Sequence, residues 1–559
     1  MTSSNATALI DALATMGVQY VFANAGTDTA PIIEALASGN ATGPQFLASP
    51  HENLAMAMAH GHYRFSGRMA AVLLHTTVGS ANALMGTMNA HRDHVPILML
   101  AGRTPNTEAG QLGSRSAHIH WGQETFDQAA MFRDWLKWDY ELRRDQPVAT
   151  LLQRAASIAN TAPAGPVYLT LPREVLAGPA ESATVNVVPS AAVAPAPTVT
   201  EQIASTLQNA EFPLIVTSSA GRDPKAFSAL AEIASNQAIP VALPFATDAN
   251  LPWDHDMNFG MEGMGLVAEA DVILVLEAGV PWVGATPKRD SIVIQVAADA
   301  QYSTYPLRSF QTDMAVTADI GLFLTQLLDA ITANPSRNKT KRGKRARVLQ
   351  ELNRKRRARL ATAVDSGKRR SPITTPWLAH CVNQSITHGK DDHALLVNEL
   401  GVPADHLEIA QPRTYMRECT AGGLGFGLGA ALGAKLAMPE RHVVAIVGDG
   451  SYMFGNPTPA HFMARAHGLG TLTIINNNQR WQAVHNATSG MYPRGAAVAA
   501  PTMALTELTP SPHFERIVDA ADGHGERVED PAELRAAIER GLAAADDGRP
   551  AVLNVITAP

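Results

Sequence analysis

An apolar run, Val443-Val444-Ala445-Ile446-Val447, breaks on Gly448-Asp449-Gly450-Ser451. A helix-like segment follows, and a second apolar run at Ile474-Ile475 breaks on Asn476-Asn477-Asn478. No other stretch narrows the fold as much. The pattern is strand, loop, helix, strand, loop, which sets two parallel strands side by side with oxygen-bearing side chains at their C-terminal ends. That edge is where ligands bind in open α/β sheets. An Asp carboxylate and an Asn amide oxygen suit a hard divalent cation such as magnesium. Glycines flanking the Asp let the backbone approach an anion, and the N-terminus of the following helix favours phosphate. The residues read as a magnesium–diphosphate pocket.

The same alternation of apolar runs and helical segments extends over the chain. Residues 1–180 read as a first α/β unit, with a helix at Thr7–Met16 and strands at Val18–Phe22, Ala70–Leu74, Pro96–Ala101 and Val167–Pro172. An Ala, Pro, Ser and Val-rich linker follows. A central unit, 181–335, places strands at Pro213–Val216, Pro240–Leu243, Val272–Leu276 and Ser291–Val296. A basic tract, 336–370, reads as a solvated linker and helix face. The third unit, 371–559, holds the opening motif, with further strands at Ala394–Val397 and Ala551–Val555. The predicted fold is α/β, three doubly wound parallel-sheet domains of similar size and tandem origin. Gly260, Gly263 and Gly265 lack the strand–turn–helix context of a dinucleotide site.

Composition excludes several classes. The net charge of -7 offers no footprint for nucleic acid. Two cysteines, Cys381 and Cys419, give no disulfide framework. No apolar run reaches the ~18 residues of a membrane span, and the opening residues carry no leader pattern, so a cytoplasmic protein is expected. Within His51-Glu52-Asn53-Leu54-Ala55-Met56-Ala57, Glu52 lies among small and apolar residues. A carboxylate on so dry a helix is paired or functional, because an isolated buried charge is costly.

The stretch from Gly448-Asp449-Gly450 to the asparagine cluster resembles the thiamine-diphosphate signature. The first third, with Gly17-Val18-Gln19-Tyr20-Val21-Phe22, Glu52 and Gly79-Ser80-Ala81-Asn82-Ala83, resembles the pyrimidine-binding domain of the acetolactate synthase and 2-oxo acid decarboxylase group. Leu74-His75-Thr76-Thr77-Val78-Gly79, Gly165-Pro166-Val167-Tyr168-Leu169 and Ala421-Gly422-Gly423-Leu424-Gly425-Phe426-Gly427 are most similar to benzoylformate decarboxylase. The resemblance covers nearly the whole chain. It implies pyrimidine-binding, central and diphosphate-binding domains, thiamine diphosphate and Mg2+ as cofactors, and a homodimer or homotetramer whose active sites lie between subunits.

It also implies roles. Glu52 hydrogen-bonds the aminopyrimidine and relays its proton. Asp449 and Asn478 bind magnesium with the Arg480 carbonyl; the spacing from Gly450 alone favours Asn476 instead. Gly401, Val402, Gly450 and Ser451 bind diphosphate through backbone N–H groups. The Gly422 carbonyl meets the pyrimidine, and Leu424 bends the cofactor into a V. His75 supplies a proton after carbon dioxide leaves. Gln123, in Trp121-Gly122-Gln123-Glu124, resembles the glutamine of acetolactate synthases that faces the cofactor. Thr27, Trp481 and Val484 line the substrate. One departure stands out: Gly279-Val280-Pro281-Trp282-Val283-Gly284 lacks the second histidine that benzoylformate decarboxylase takes from its central domain. The implied activity is cleavage or formation of a C–C bond on a small 2-oxo acid, by decarboxylation or acetolactate-type condensation. A 2-hydroxyacyl-CoA lyase is the alternative, with the basic tract as a site for the acyl-CoA phosphates. Retention of Glu52, Asp449 and Asn478 argues against a non-catalytic cofactor-binding scaffold.

Overall fold

The computed structural model describes residues 4–38, 43–181, 183–334, 339–387 and 394–559. Positions 1–3 and the start of the basic tract, 336–338, lie outside them. The first sheet is built from β1 (Tyr20–Ala23), β2 (Gln45–Ala48), β3 (Ala70–Leu74), β4 (Ile97–Arg103), β5 (Trp138–Glu141) and β6 (Val167–Pro172). The central sheet takes β7 (Pro213–Thr217), β8 (Val241–Ala242), β9 (Asn258–Gly260), β10 (Val272–Leu276), β11 (Ile292–Ala297) and β12 (Met314–Thr317). The third takes β13 (Leu395–Glu399), β14 (Tyr415–Arg417), β15 (Val443–Gly448), β16 (Leu472–Asn477), β17 (His524–Val528) and β18 (Ala551–Ile556). Every registered pair is parallel. Helices between the strands make this an α/β fold.

The orders are β2-β1-β3-β4-β6-β5, β12-β11-β10-β7-β8-β9 and β14-β13-β15-β16-β18-β17. The first and third sheets therefore share one winding and the central sheet has another. The tandem origin expected of all three units is matched in topology by the outer pair alone. The four interior strands of each sheet are those the apolar runs predict. Both edge strands of every sheet lie outside those runs, each having a strand neighbour on one side alone. The pattern in β5 is half-buried throughout, and β17 is buried at Val528 alone.

The outer domains share a core. The Glu52–Ser66 helix packs along the Gly427–Ala437 helix, and Met56, Met58, Ala430 and Ala434 lie in one buried cluster. The backbones approach so closely that a Cβ on Gly61 would overlap the Ala430 carbonyl. A buried ion network ties the first domain to the central one. Arg64 bridges Asp93 and Asp248, Arg222 reaches Asp93 at 2.6 Å and Asp248 at 3.1 Å, and His60 sits 2.6 Å from Asp93. The basic tract forms a helix, Lys339–Gly367, that is more than a solvated face. Arg356 is buried and pairs with Asp405 at 3.1 Å, while Arg345 donates to the carbonyls of Ala238 and Gln237 at 3.0 and 2.7 Å. Tertiary partners turned parts of a charge run into anchors.

Candidate active site

The C-terminal ends of β15 and β16 lie side by side, with Gly448 opposite Asn476. Side chains alternate along a strand. Asn476 and Asn478 therefore face one way and Asn477 the other. Asn477 is fully buried, donates to Asn554 Oδ1 at 2.9 Å and to Ser511 Oγ at 2.8 Å, and accepts from the Gln479 N–H. Asp449 opens the Asp449–Phe454 helix and is buried. Its Oδ1 accepts from Gly450 N–H at 2.9 Å, whereas Oδ2 has no partner. Burial pushes its pKa up to about 6 against the opposing N–H groups of Gly450, Gln479 and Arg480. Asn476 Oδ1 is a second buried oxygen without a partner, and its amide nitrogen is fixed on the Gly401 carbonyl. Asn478 Oδ1 accepts from the Arg480 N–H at 3.1 Å, and the Arg480 carbonyl accepts from Gln482 N–H at 3.0 Å. The free oxygens thus belong to Asp449 and Asn476, with Asn478 on the same face. The pair has the hard, anionic-plus-neutral oxygen character that magnesium takes.

Around this pair the backbone is close and polar. The Trp481 ring lies against Gly450, where any Cβ would overlap it, and Trp481 N–H is held on the Thr506 carbonyl at 2.7 Å. Ser451 is buried in the first turn of the short helix. After β13 the chain turns at Leu400 (φ 52°) into Gly401 and Val402. The Val402 N–H donates to Asn398 Oδ1 at 3.1 Å, so it is engaged within its own loop, unlike the free donor the resemblance implies.

The glycine-rich turn is held from two sides. Gly422 has φ 67°, a left-handed conformation that leaves the turn open. Gly423 exchanges hydrogen bonds with the Asn89 side chain at 3.1 and 2.9 Å. The fully buried Glu399 accepts from the N–H groups of Gly425 and Gly427. Its burial drives its pKa up to about 7. Leu424 is half-buried on the cavity side of this turn.

The first domain presents a separate constellation. Glu52 is the first residue of its helix and is buried, with Oε1 accepting from Asn24 at 2.9 Å and Oε2 from Asn82 at 3.0 Å. His75 ends β3. Its Nδ1 is hydrogen-bonded to Asp28, and its Nε2 lies 3.2 Å from the Gln123 amide nitrogen. The Asp28 hydrogen bond outweighs burial and raises the pKa of His75, with Glu52 adding in the same direction. Thr27 itself is exposed; the residue the turn directs inward is Asp28.

A cavity of about 1000 Å³ joins the C-terminal ends of β15 and β16 to the central domain. Gly422, Leu424, Asp449, Gly450, Ser451, Asn476, Asn478, Arg480, Trp481 and Val484 line it, with Glu277, Val280, Val283, Tyr302 and Tyr305 on the far wall. Glu52, His75 and Gln123 do not line this cavity. One chain carries both constellations without joining them. Sequence reading passed over Asp28, Asn24, Asn82, Asn89 and Glu399 as positioning groups. Asn82 lies inside the motif Gly79–Ala83, but its partner Glu52 comes from another element.

Three models of thiamine pyrophosphate enzymes match the chain: the N-terminal TPP binding domain at residues 4–131, the central domain at 200–327 and the C-terminal TPP binding domain at 400–555. The large subunit of acetolactate synthase isozyme 1 from Escherichia coli is 25% identical over 88% of this chain and 84% of its own length. A benzoylformate decarboxylase from Pseudomonas aeruginosa is 26% identical over 78% of this chain and 79% of its own. The crystal structure of benzoylformate decarboxylase from Polynucleobacter necessarius shares the fold, with a TM-score of 0.78 at 20% identity over 99% of this chain and 98% of that one.

Proposed function

This chain belongs to the thiamine pyrophosphate enzyme family, and on that premise we propose that it decarboxylates a small 2-oxo acid to an aldehyde. The pairing of His75 with Asp28 carries the reading. Decarboxylation ends with a proton on the carbon that lost carbon dioxide; carboligation ends with that carbon joined to a second carbonyl compound. A half-buried histidine whose pKa is raised by the Asp28 carboxylate is suited to carry a proton and deliver it from Nε2. The Gly279–Gly284 wall offers no histidine for this task.

The residues fit the cofactor. Two buried oxygens without partners, on Asp449 and Asn476, stand beside a backbone cleared of side chains at Gly450. Asp449, an amide oxygen from the Asn476–Asn478 face and the Arg480 carbonyl would hold magnesium. The N–H groups at Ser451 and Gly401 would hold diphosphate, while that of Gly450 is engaged by Asp449 Oδ1. Glu52 and the Gly422 carbonyl would hold the pyrimidine, with Leu424 beneath it. When bound, thiamine diphosphate supplies the electron sink for the carbon that loses carbon dioxide. The chain supplies orientation, proton delivery and exclusion of water. Because Glu52 and Asp449 do not meet within one chain, the complete site forms between two copies, in a homodimer or homotetramer. Exposed apolar residues support this: Val78, Trp121 and Phe126 each lie within three residues of His75 or Gln123 in the chain, and the Gln482–Met491 helix beside Asp449 buries none of its residues. Thr27, Trp481 and Val484 are the residues set to contact substrate.

Carboligation is the second reading, favoured by Gln123, whose amide reaches the same His75 nitrogen. Protein supplied with magnesium and thiamine diphosphate is incubated with a panel of 2-oxo acids and 2-hydroxyacyl-CoAs. Aldehyde equal to carbon dioxide supports the decarboxylase. A 2-hydroxyketone product supports the carboligase, formyl-CoA with aldehyde supports an acyl-CoA lyase, and bound cofactor without turnover supports a scaffold; each of these three overturns it.

A further inference from the structure

We propose that Asp28, His75 and Gln123 form a proton relay in which Asp28 fixes the tautomer of His75 and the Gln123 amide turns over as His75 changes charge. The inference rests on the decarboxylase reading for its purpose and on geometry for its existence. Asp28 lies on the short 3-10 turn Thr27–Thr29 and is 3% exposed. Its Oδ1 meets His75 Nδ1, and its buried Oδ2 has no partner. Two glycines make the room: a Cβ on Gly102 of β4 would overlap Asp28 Oδ2, and one on Gly26 would overlap the His75 ring.

The other ring nitrogen sets the logic. The Gln123 amide nitrogen stands 3.2 Å from His75 Nε2. A donor facing Nε2 requires a lone pair there, so the neutral ring carries its proton on Nδ1, toward Asp28. The Gln123 oxygen lies 3.3 Å from Thr76 Oγ1 and accepts from it. Thr76 takes φ 38°, a strained conformation for a β-branched residue, which keeps its hydroxyl beside the amide. When Nε2 gains a proton, two donors face each other. Half a turn of the amide then presents its oxygen to Nε2–H and its nitrogen to Thr76 Oγ1, which accepts as readily as it donates. Hydrogen bonding is conserved in both charge states.

The proton count closes. The Nε2–H bond breaks as a C–H bond forms on the carbon that lost carbon dioxide. His75 is left neutral with Nδ1–H on Asp28, and water reprotonates Nε2 for the next cycle. Asp28 and Glu52 are the charged groups acting on His75, and both favour its cation. His120, with Arg115 and Arg173 near it, lies within the same field. Asp28 is a positioning residue, acting through His75.

The test reads His75 in cofactor-free, full-length protein. Deuterium exchange at the imidazole C2 carbon, followed by peptide mass spectrometry across pH, gives its titration midpoint. The wild-type midpoint is expected above the ordinary 6.5. Asp28→Asn lowers it by about one to two units, as loss of a neighbouring opposite charge does. Gln123→Leu leaves it nearly unchanged, because an amide that serves both charge states favours neither. A wild-type midpoint at or below 6.5 overturns the relay even if Asp28→Asn fails to fold. An unmoved midpoint in folded Asp28→Asn does the same. A rise of about one unit in Gln123→Leu shows a fixed donor and overturns the turnover of the amide. If the titrations behave as stated while no 2-oxo acid is consumed, the relay stands and the assigned reaction falls.

Discussion

The Gly427 N–H donates to Glu399 Oε2 at 2.7 Å, joining the end of β13 to the glycine-rich turn that carries Leu424. Both residues are buried, and Gly425 donates to the other carboxylate oxygen. Glu399→Gln places an NH2 group against one of these N–H donors. A buried donor left unsatisfied costs about 1–3 kcal/mol. Folding stability is expected to fall by that order, and cofactor affinity to fall with it, as measured by thermal unfolding with and without thiamine diphosphate.

The same glutamate sets a pH dependence. Its folded pKa is raised from 4.5 to about 7 by burial. A raised folded pKa contributes stability that is fully present below 4.5 and is lost as pH rises through about 7. Cofactor-free protein is therefore expected to lose stability between these values, at up to about 1.4 kcal/mol per pH unit from this group. Glu399→Gln removes that slope. Unfolding curves that stay parallel in wild type and variant from pH 5 to 8 would contradict it.

Glu52→Gln preserves the shape of the site and can keep one amide partner of Asn24 and Asn82 while losing the ionisable carboxyl. Turnover is expected to fall by about 100-fold or more, the scale of a general acid–base contribution. Magnesium and thiamine diphosphate still bind, as read by calorimetry. Full activity in the variant would remove Glu52 from the mechanism.

Asp449→Asn is expected to weaken magnesium by at least the roughly 10–100-fold that even an outer-shell change costs. Because burial raises the Asp449 pKa to about 6, magnesium affinity falls as pH drops through that value. Asn476→Ala and Asn478→Ala, titrated side by side, assign the amide ligand: the variant whose magnesium affinity collapses has lost it, and Asn476 is expected to be that residue because its oxygen is free.

Gly61→Ala tests the seam between the outer domains. The new Cβ would overlap the Ala430 carbonyl, a backbone atom that cannot swing aside. Overpacking of this kind costs about 1–3 kcal/mol. A clear drop in melting temperature is expected, and an unchanged one would show that the two helices slide without cost.

What the sequence determined by itself was the interior. Runs such as Val272–Leu276 and Val443–Val447 are apolar because both faces of a central parallel strand are covered, and that periodicity is local. The polar residues that stand out against their surroundings were equally legible: Glu52 on a dry helix, Asp449 after its glycine, His75 after β3. The tertiary structure decided the rest. Edge strands such as β5 and β17 depend on a neighbour for their hydrogen bonds, so their residues need no apolar run. Strand alternation, set by the register of β15 on β16, turned Asn477 away from Asp449 and left Asn476 and Asn478 facing it. Asp28 was one letter in a turn until folding brought it to His75, 47 residues away. A side chain's chemistry is written in its own position, but its partner is chosen by the packing of elements distant in the chain.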